Sequence, residues 1–281
     1  MVYSSHSLVS GHHKLLLLAP SFNDADKSGF RDVIHNGDLH EMLLADIQRL
    51  RGEVYLRDGA ISASQLTADG RHVTKADAMS WHIISLNEFG KVRGCYRHLK
   101  HHATIRYEQM MLSKSPLAQS LEWGGTCRSV VESLLEEAKT SNLSCAEVGG
   151  WAVAGELRHT SEALRIALTG YALGDLLGGC MGFGTVTRRN CSAVILQRIG
   201  ARRLRSGDVE LPSYFDPGYR CEMEILRFDS RELNPKYASL RDEIRAHLAA
   251  LPVVCGGVSF IHLHEVLARE TKTPLASRHA A

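Results

Sequence analysis

Residues 145–163, CAEVGGWAVAGELRHTSEA, decide the fold. The apolar first half, AEVGGWAVA, predicts a strand, although that strand carries one carboxylate, Glu147. A polar turn with Arg158 follows, and residues 161–179 then predict a helix with apolar side chains on nearly every side. A strand, a turn and a buried helix in this order indicate one unit of an α/β fold.

The alternation of strands and helices continues on both sides of this unit. Apolar runs and helical periodicity predict a buried strand, a helix capped by Asp38 and a hairpin before it, and strands with helices after it. In chain order these elements are KLLLLAP (14–20), residues 38–57, AMSWHIISLNEFGKVRGCYRHL (78–99), CMGFGTVT (180–187), NCSAVILQRIGARRL (190–204), YRCEMEILRF (219–228) and YASLRDEIRAHLAAL (237–251). Such repeated units imply a mixed sheet covered by helices.

Composition narrows the class of protein. The chain has 281 residues, 44% of them apolar, and a net charge of +2, which gives little support for nucleic-acid binding. Seven cysteines without a Cys-x-x-Cys pair predict reduced thiols and a cytoplasmic location. The apolar run at 14–20 is too short to span a membrane. Fifteen histidines include no His-Glu-x-x-His pattern, so no metal is predicted.

Four short motifs, in a shared order, resemble a known family. They are IQRLRGEVYLRDGAI (47–61), with Arg51 and Tyr55; DAMSWHII (77–84), with Asp77; VRGCYRHL (92–99), with Arg97; and AEVGGWAVA (146–154), with Glu147. This order resembles GNAT-fold N-acyltransferases, in particular the acyl-homoserine-lactone synthases and the long-chain N-acyl amino acid synthases. The chain departs from the family at Gly150, where members often have Arg, and at Ser161, which replaces a phosphate-loop glycine.

The resemblance implies a GNAT-like mixed β-sheet with flanking helices and a splayed central strand pair. It implies transfer of a fatty acyl group from acyl-CoA or an acyl carrier protein to the amine of an amino acid or similar small molecule. The alternatives are a short-chain acetyl-CoA-dependent N-acetyltransferase and a catalytically silent acyl-thioester binding module. The expected division is a disordered leader at 1–12, an acyltransferase domain at 13–230 and a C-terminal helical extension at 231–281.

The turn at 158–163 is the candidate phosphate site. The first N–H groups of a helix lack internal partners and attract anions, and Arg158 would add a charge-assisted hydrogen bond. The predicted donor-binding residues are Val153, Arg158, His159, Thr160, Ser161 and Ala163. The alternative is that Thr160 or Ser161 only caps the helix, with Glu162 as ordinary first-turn charge.

Glu147 is the candidate general base. An apolar setting would raise the pKa of this carboxyl towards neutrality, which suits removal of a proton from an ammonium group. A strand N–H near 151–153 is the candidate oxyanion donor, with a bulge eased by Gly149 and Gly150. The predicted catalytic residues are therefore Glu147, Trp151 and Arg97. The alternative is a purely structural pair between Glu147 and an arginine such as Arg97.

The remaining candidate residues would bind the acceptor or a partner protein. By resemblance, Arg51, Tyr55, Asp77 and Trp81 hold the acceptor; the alternatives are a buried ion-pair network for the charged residues and core packing for Trp81. The basic stretch CYRHLKHH (95–102) is either a solvated strand end or a docking surface for an acidic acyl carrier protein. The apolar segments 164–177 and 181–186 line either an acyl tunnel or plain core.

Overall fold

The computed structural model describes residues 13–21 and 27–257, so the predicted leader lies outside the described residues. The helices are α1 (Gly37–Arg57), α2 (Pro116–Gln119), α3 (Gly124–Thr140), α4 (Glu162–Leu176), α5 (Ser192–Ile199) and α6 (Ala238–Leu248). The strands are β1 (Lys14–Leu18), β2 (Asp32–His35), β3 (Trp81–Leu86), β4 (Val92–Lys100), β5 (Ser144–Val153), β6 (Cys180–Thr187), β7 (Arg202–Arg203), β8 (Arg205–Ser206), β9 (Val209–Glu210), β10 (Tyr214–Asp216), β11 (Cys221–Asp229) and β12 (Pro252–Cys255).

One ten-stranded mixed sheet organises the described residues. Its order is β10-β11-β6-β5-β4-β3-β1-β12-β2, with β7 paired to β11. The hairpin of β3 and β4 and the neighbour β5 are antiparallel, whereas β5 and β6 run parallel and are joined by α4. This arrangement confirms the predicted α/β class with a mixed sheet and flanking helices.

Helices cover both faces of the sheet because each strand buries apolar side chains on alternating sides. One core packs α4 and α6 against residues such as Tyr96 and Ala146. On the other face, α1 packs over Cys95 and Ala152, while α3 packs over Cys145. The sheet therefore separates the layer of α1 and α3 from the layer of α4 and α6.

The chain end differs from the predicted helical extension. Helix α6 forms where expected and buries Leu240, Ile244 and Leu248. Strand β12 then enters the sheet between β1 and β2, parallel to both. Residues 252–255 therefore belong to the same sheet as residue 14, and the boundary predicted at residue 230 does not separate them. The start of α1 also differs, because the side chain of Asn36, rather than Asp38, accepts the Leu39 N–H.

The strands β5 and β6 part at the middle of the sheet. Their parallel pairing runs from Ser144 with Cys180 to Val148 with Gly184 and stops there. Beyond that point β5 pairs only with β4, and β6 pairs only with β11. Cys95 and Arg97 of β4 are two residues apart, whereas their partners on β5, Ala152 and Gly149, are three residues apart. Strand β5 therefore has one extra residue here and forms a bulge. The splayed central strand pair is thus confirmed.

Candidate active site

A cavity of about 780 Å³ opens where β5 and β6 part. Its wall includes Glu147 and Phe183 from the α1/α3 face and Val148 and Leu196 from the α4/α6 face. The cavity therefore passes through the sheet. Ten of the predicted site residues lie in its wall, namely Arg51, Tyr55, Arg97, Glu147, Trp151, Val153, Arg158, His159, Thr160 and Ala163.

Glu147 is buried, with 3% of its surface exposed, and it is held by three donors rather than by an arginine. Its Oε1 accepts the Leu112 N–H at 3.0 Å, and its Oε2 accepts the Met111 N–H at 3.0 Å. The Nε2 atom of His101 lies 2.9 Å from Oε2. The alternative of a pair with Arg97 is therefore wrong, because Arg97 pairs with Asp77 and the carboxylate is held by these donors within its buried setting.

Asp77 lies behind the cavity wall and organises two arginines. Arg51 donates to both oxygens of Asp77, at 2.8 and 2.6 Å, and its side chain is 1% exposed. Burial alone would raise the pKa of Asp77, but the hydrogen bonds from Arg51 and Thr74 hold that pKa well below its usual range. Arg51 and Asp77 therefore form the buried ion pair that fixes α1 against the hairpin, which was the structural alternative.

Arg97 is the less satisfied of the two cations. Its Nη1 donates to the Thr74 hydroxyl at 2.7 Å and lies 3.5 Å from Asp77. Its Nη2 contacts only the Met111 sulfur, at 3.6 Å, among the described residues. Arg97 therefore shares Asp77 with Arg51 through a longer ion pair, and its guanidinium lies in the cavity wall with 7% of the residue exposed.

The bulge places Gly150 at φ +60°, a conformation that favours glycine. A Cβ atom at Gly150 would lie 3.1 Å from the Arg51 guanidinium and 3.2 Å from the Arg97 Cβ. The arginine that family members often carry here has no room in this chain. The predicted bulge at Gly149 and Gly150 is thus present, and it packs directly on the two arginines.

Aromatic residues line the cavity beside these charges. The Tyr55 hydroxyl donates to the Trp151 carbonyl at 3.4 Å, and the Tyr55 ring packs edge-on to Tyr219. Burial raises the pKa of both phenols, so they remain neutral donors at physiological pH. Trp81 lies elsewhere: it is 2% exposed and packs on Phe30 in the α4/α6 core, which corrects its assignment to the acceptor.

The turn before α4 brings Arg158, His159, Thr160 and Ala163 to the other end of the cavity. Arg158 is exposed and forms an ion pair with Asp58, a residue that the sequence patterns did not single out. The Thr160 hydroxyl accepts the Glu162 N–H at 3.2 Å, so Thr160 does cap the helix. Ser161 precedes the helix without a side-chain cap bond and lies outside the cavity wall.

Glu162 does more than place a negative charge in the first turn of α4. It is 6% exposed, lies 3.2 Å from the Arg165 guanidinium and accepts the Ser85 hydroxyl from β3. Those contacts tie the start of α4 to the sheet. Because the carboxylate is already paired with Arg165, its repulsion of an anion at the same helix end is reduced.

The basic stretch 95–102 does not form an exposed patch. Arg97, His98 and Leu99 are buried, and the Lys100 ammonium donates to the Leu177 carbonyl at 2.9 Å. Arginines gather instead near the cavity mouth. Arg189 donates to the Asp58 carbonyl at 2.6 Å, and Arg57 lies 3.2 Å from the Asp58 carboxylate. Because Lys100 and His102 remain exposed, a docking role for residues 95–102 stays a prediction.

The described residues contain no group of three or more histidine, cysteine or carboxylate side chains placed to hold a metal ion. The seven cysteines form no disulfide. Among residues 13–21 and 27–257, no helix has both the length and the apolar character needed to cross a bilayer.

Comparison with solved structures identifies the fold. The CoA-dependent acyl-homoserine lactone synthase BjaI, solved with SAM and isopentyl-CoA and also with MTA, superposes with a TM-score of 0.51. The match has 12% sequence identity and covers 92% of this chain and 99% of BjaI. FeeM, an N-acyl amino acid synthase from uncultured soil microbes, matches at a TM-score of 0.44 and 9% identity, covering 78% of this chain and 93% of FeeM.

No protein-family model and no curated protein sequence matches the chain. The likeness to BjaI nevertheless confirms the predicted GNAT-like fold, of the kind found in acyl-homoserine-lactone synthases. At this identity the likeness concerns the fold, so the activity has to be argued from the cavity and the residues in its wall.

Proposed function

We propose that this protein is an N-acyltransferase that moves an acyl group from a thioester, of coenzyme A or an acyl carrier protein, to the amine of an amino acid or similar small molecule. One observation carries the proposal. Past Val148 and Gly184 the sheet opens into a cavity with a helix N-terminus at one end and a buried carboxylate, Glu147, at the other. That arrangement suits an extended thioester donor and an amine acceptor that meet inside the sheet.

The donor side is supported by the free strand edges and by the start of α4. Beyond Val148 the β6-facing edge of β5 has no strand partner, and a pantetheine arm carries amide groups suited to such an edge. The helix N-terminus at Ala163 and the guanidinium of Arg158 suit the phosphate at the end of that arm. The apolar wall at Val148, Val186 and Leu196 suits the acyl chain.

The acceptor side is supported by opposite charges in one chamber. Arg97 presents a guanidinium whose Nη2 has no oxygen acceptor among the described residues, and Glu147 presents a carboxylate on the same face of the sheet. An acceptor that carries both an ammonium and a carboxylate group would pair with both side chains, its carboxylate with Arg97 and its ammonium with Glu147. BjaI, which shares the fold, was solved with SAM, a molecule that contains an α-amino acid group.

The chemistry follows from the free acceptor position on Glu147. A carboxylate offers about four acceptor positions, and its three donors leave one for the ammonium group of the acceptor. Glu147 takes the proton, and the amine nitrogen attacks the thioester carbonyl. An N–H of β5 near Trp151 stabilises the developing oxyanion. The C–N bond forms, the C–S bond breaks and the thiol leaves with the second proton of the ammonium group.

The test incubates the purified protein with acyl-CoA thioesters of two to sixteen carbons and a pool of amino acids, with products identified by mass spectrometry. We expect N-acyl amino acids. Glu147→Gln should abolish most turnover while the affinity for CoA, measured by calorimetry, stays close to that of the wild type. Products from acetyl-CoA alone would establish the short-chain alternative. Thioester binding without transfer to any amine would establish the silent module.

A further inference from the structure

We infer that His101 is a positioning residue for the proposed general base. The inference rests on the proposed function, because it gives His101 a task only if Glu147 removes a proton from the acceptor. His101 was not among the residues that the motifs singled out. It follows directly after β4, and its main-chain N–H donates to the Cys145 carbonyl at 2.8 Å, which fixes the imidazole beside β5.

The contact between the two side chains is short and shielded. Nε2 of His101 lies 2.9 Å from Oε2 of Glu147, and the two side chains are 8% and 4% exposed. Glu147 lines the cavity, whereas His101 lies behind it, outside the cavity wall. His101 therefore touches the carboxylate without reaching the substrate.

The three donors to Glu147 fix the direction of its free lone pair. His101 and the Met111 N–H engage Oε2, and the Leu112 N–H engages Oε1. The position left open is therefore on Oε1. Removal of the His101 contact frees one side of Oε2, and the carboxylate can then turn away from the attack geometry. Misplacement of a catalytic group in this way lowers the rate of the chemical step more than it lowers substrate binding.

The His101 ring is directed at the Glu147 carboxylate. Other charged groups near this imidazole are directed elsewhere. Lys100 donates to Leu177 on the opposite face, and the exposed His102 ring contacts Thr104. Glu147 is the carboxylate that contacts the His101 ring among the residues that the structure describes.

The experiment compares steady-state kinetics of His101→Ala, His101→Gln and the neighbouring control His102→Gln at neutral pH. His101→Ala should lower kcat roughly tenfold or more with KM nearly unchanged. His101→Gln keeps a side-chain N–H donor, so at neutral pH its kcat should be close to that of the wild type. The control should match the wild type throughout.

Two results would overturn the inference. One is a kcat of His101→Gln that is as low as that of His101→Ala. The other is an equal loss of kcat and substrate affinity in His101→Ala, the result of general damage to the fold. A second readout does not require activity: the ¹⁵N spectrum of the wild-type imidazole should show a hydrogen-bonded Nε2–H that is lost in Glu147→Ala. A freely exchanging ring in the wild type would also refute the contact.

Discussion

Val148 and Gly184 form the last pair between β5 and β6, and the sheet opens immediately beyond them. The pair also sets how closely the strands approach. A Cβ atom built on Gly184 would lie 2.8 Å from the Val148 carbonyl oxygen and 2.9 Å from its Cγ2. Glycine at position 184 therefore lets the strands remain paired up to the edge of the cavity.

The first prediction concerns this contact. Gly184→Ala should push the strands apart at the splay point and lower the free energy of unfolding by about 1–3 kcal/mol, the usual cost of overpacking. Urea denaturation measures it. Gly125→Ala is the matched control, because a Cβ at Gly125 in α3 meets no atom within 4 Å. That variant should instead stabilise the protein by up to about 1 kcal/mol. Equal effects in the two variants would contradict the packing argument.

The second prediction concerns Arg158 and its partner Asp58. The Asp58 carboxylate pairs with the Arg158 guanidinium, the group that a donor phosphate would need. Arg158→Ala should weaken CoA binding by about tenfold, the value of one charge-assisted hydrogen bond. Asp58→Asn should strengthen it, because the competing anion is removed. Calorimetry at low and high salt measures both effects, and added salt should reduce the difference between wild type and Arg158→Ala.

Arg93→Ala is the control for this pair of variants. Arg93 also forms an ion pair with a carboxylate, that of Glu156, but it lies outside the cavity wall. Its loss should leave CoA affinity unchanged. Weaker CoA binding by Asp58→Asn would show that Asp58 orders the arginines rather than competes with the phosphate.

The sequence predicted the elements whose signal is local. The spacing of hydrophobic residues, every second residue for strands and every 3.6 residues for helices, predicted β5, α4 and β6. The two adjacent glycines predicted the bulge at which Gly150 packs against the two arginines. Glu147 stood out because a carboxylate is unusual in an apolar strand. These features depend on neighbouring residues, so one stretch of chain is sufficient to predict them.

Other features depend on residues far apart in the chain. Strands β2 and β12 have four residues each and pair across more than 200 positions, so neither pattern is distinctive alone. The three donors to Glu147 come from the end of β4 and from the main chain at 111–112, where no side-chain identity marks them. Trp81 was misassigned because its motif does not reveal which face of β3 it occupies.

The third prediction tests Arg97 as the recognition group for a carboxylate. Arg97→Gln should raise KM for an amino acid acceptor about tenfold or more, because the ion pair with the acceptor carboxylate is lost. KM for the corresponding amine without a carboxylate should not change. Steady-state kinetics with the two acceptors measures the difference. An equal rise for both acceptors would assign Arg97 to the fold rather than to recognition.

The fourth prediction concerns acid stability and two buried histidines. Burial lowers the pKa of His82 and of His98 to about 4. The pKa of a histidine in an unfolded chain is about 6.5, which is about 2.5 higher than these values. Between these values the unfolded chain binds more protons, so stability is present above about pH 6.5 and is lost as the pH falls towards 4. Each ring should cost the folded state about 2 kcal/mol by pH 5.

His98→Leu isolates one of these contributions. Both ring nitrogens of His98 lack hydrogen-bond partners among the described residues, and the ring packs near Phe228, so an apolar side chain suits the site. The variant should lose about 2 kcal/mol less stability than the wild type between pH 7.5 and pH 5. Urea denaturation at the two pH values measures this difference, with the exposed His102→Leu as control. The same pH dependence in wild type and His98→Leu would show that His98 is not the group that takes up the proton on unfolding.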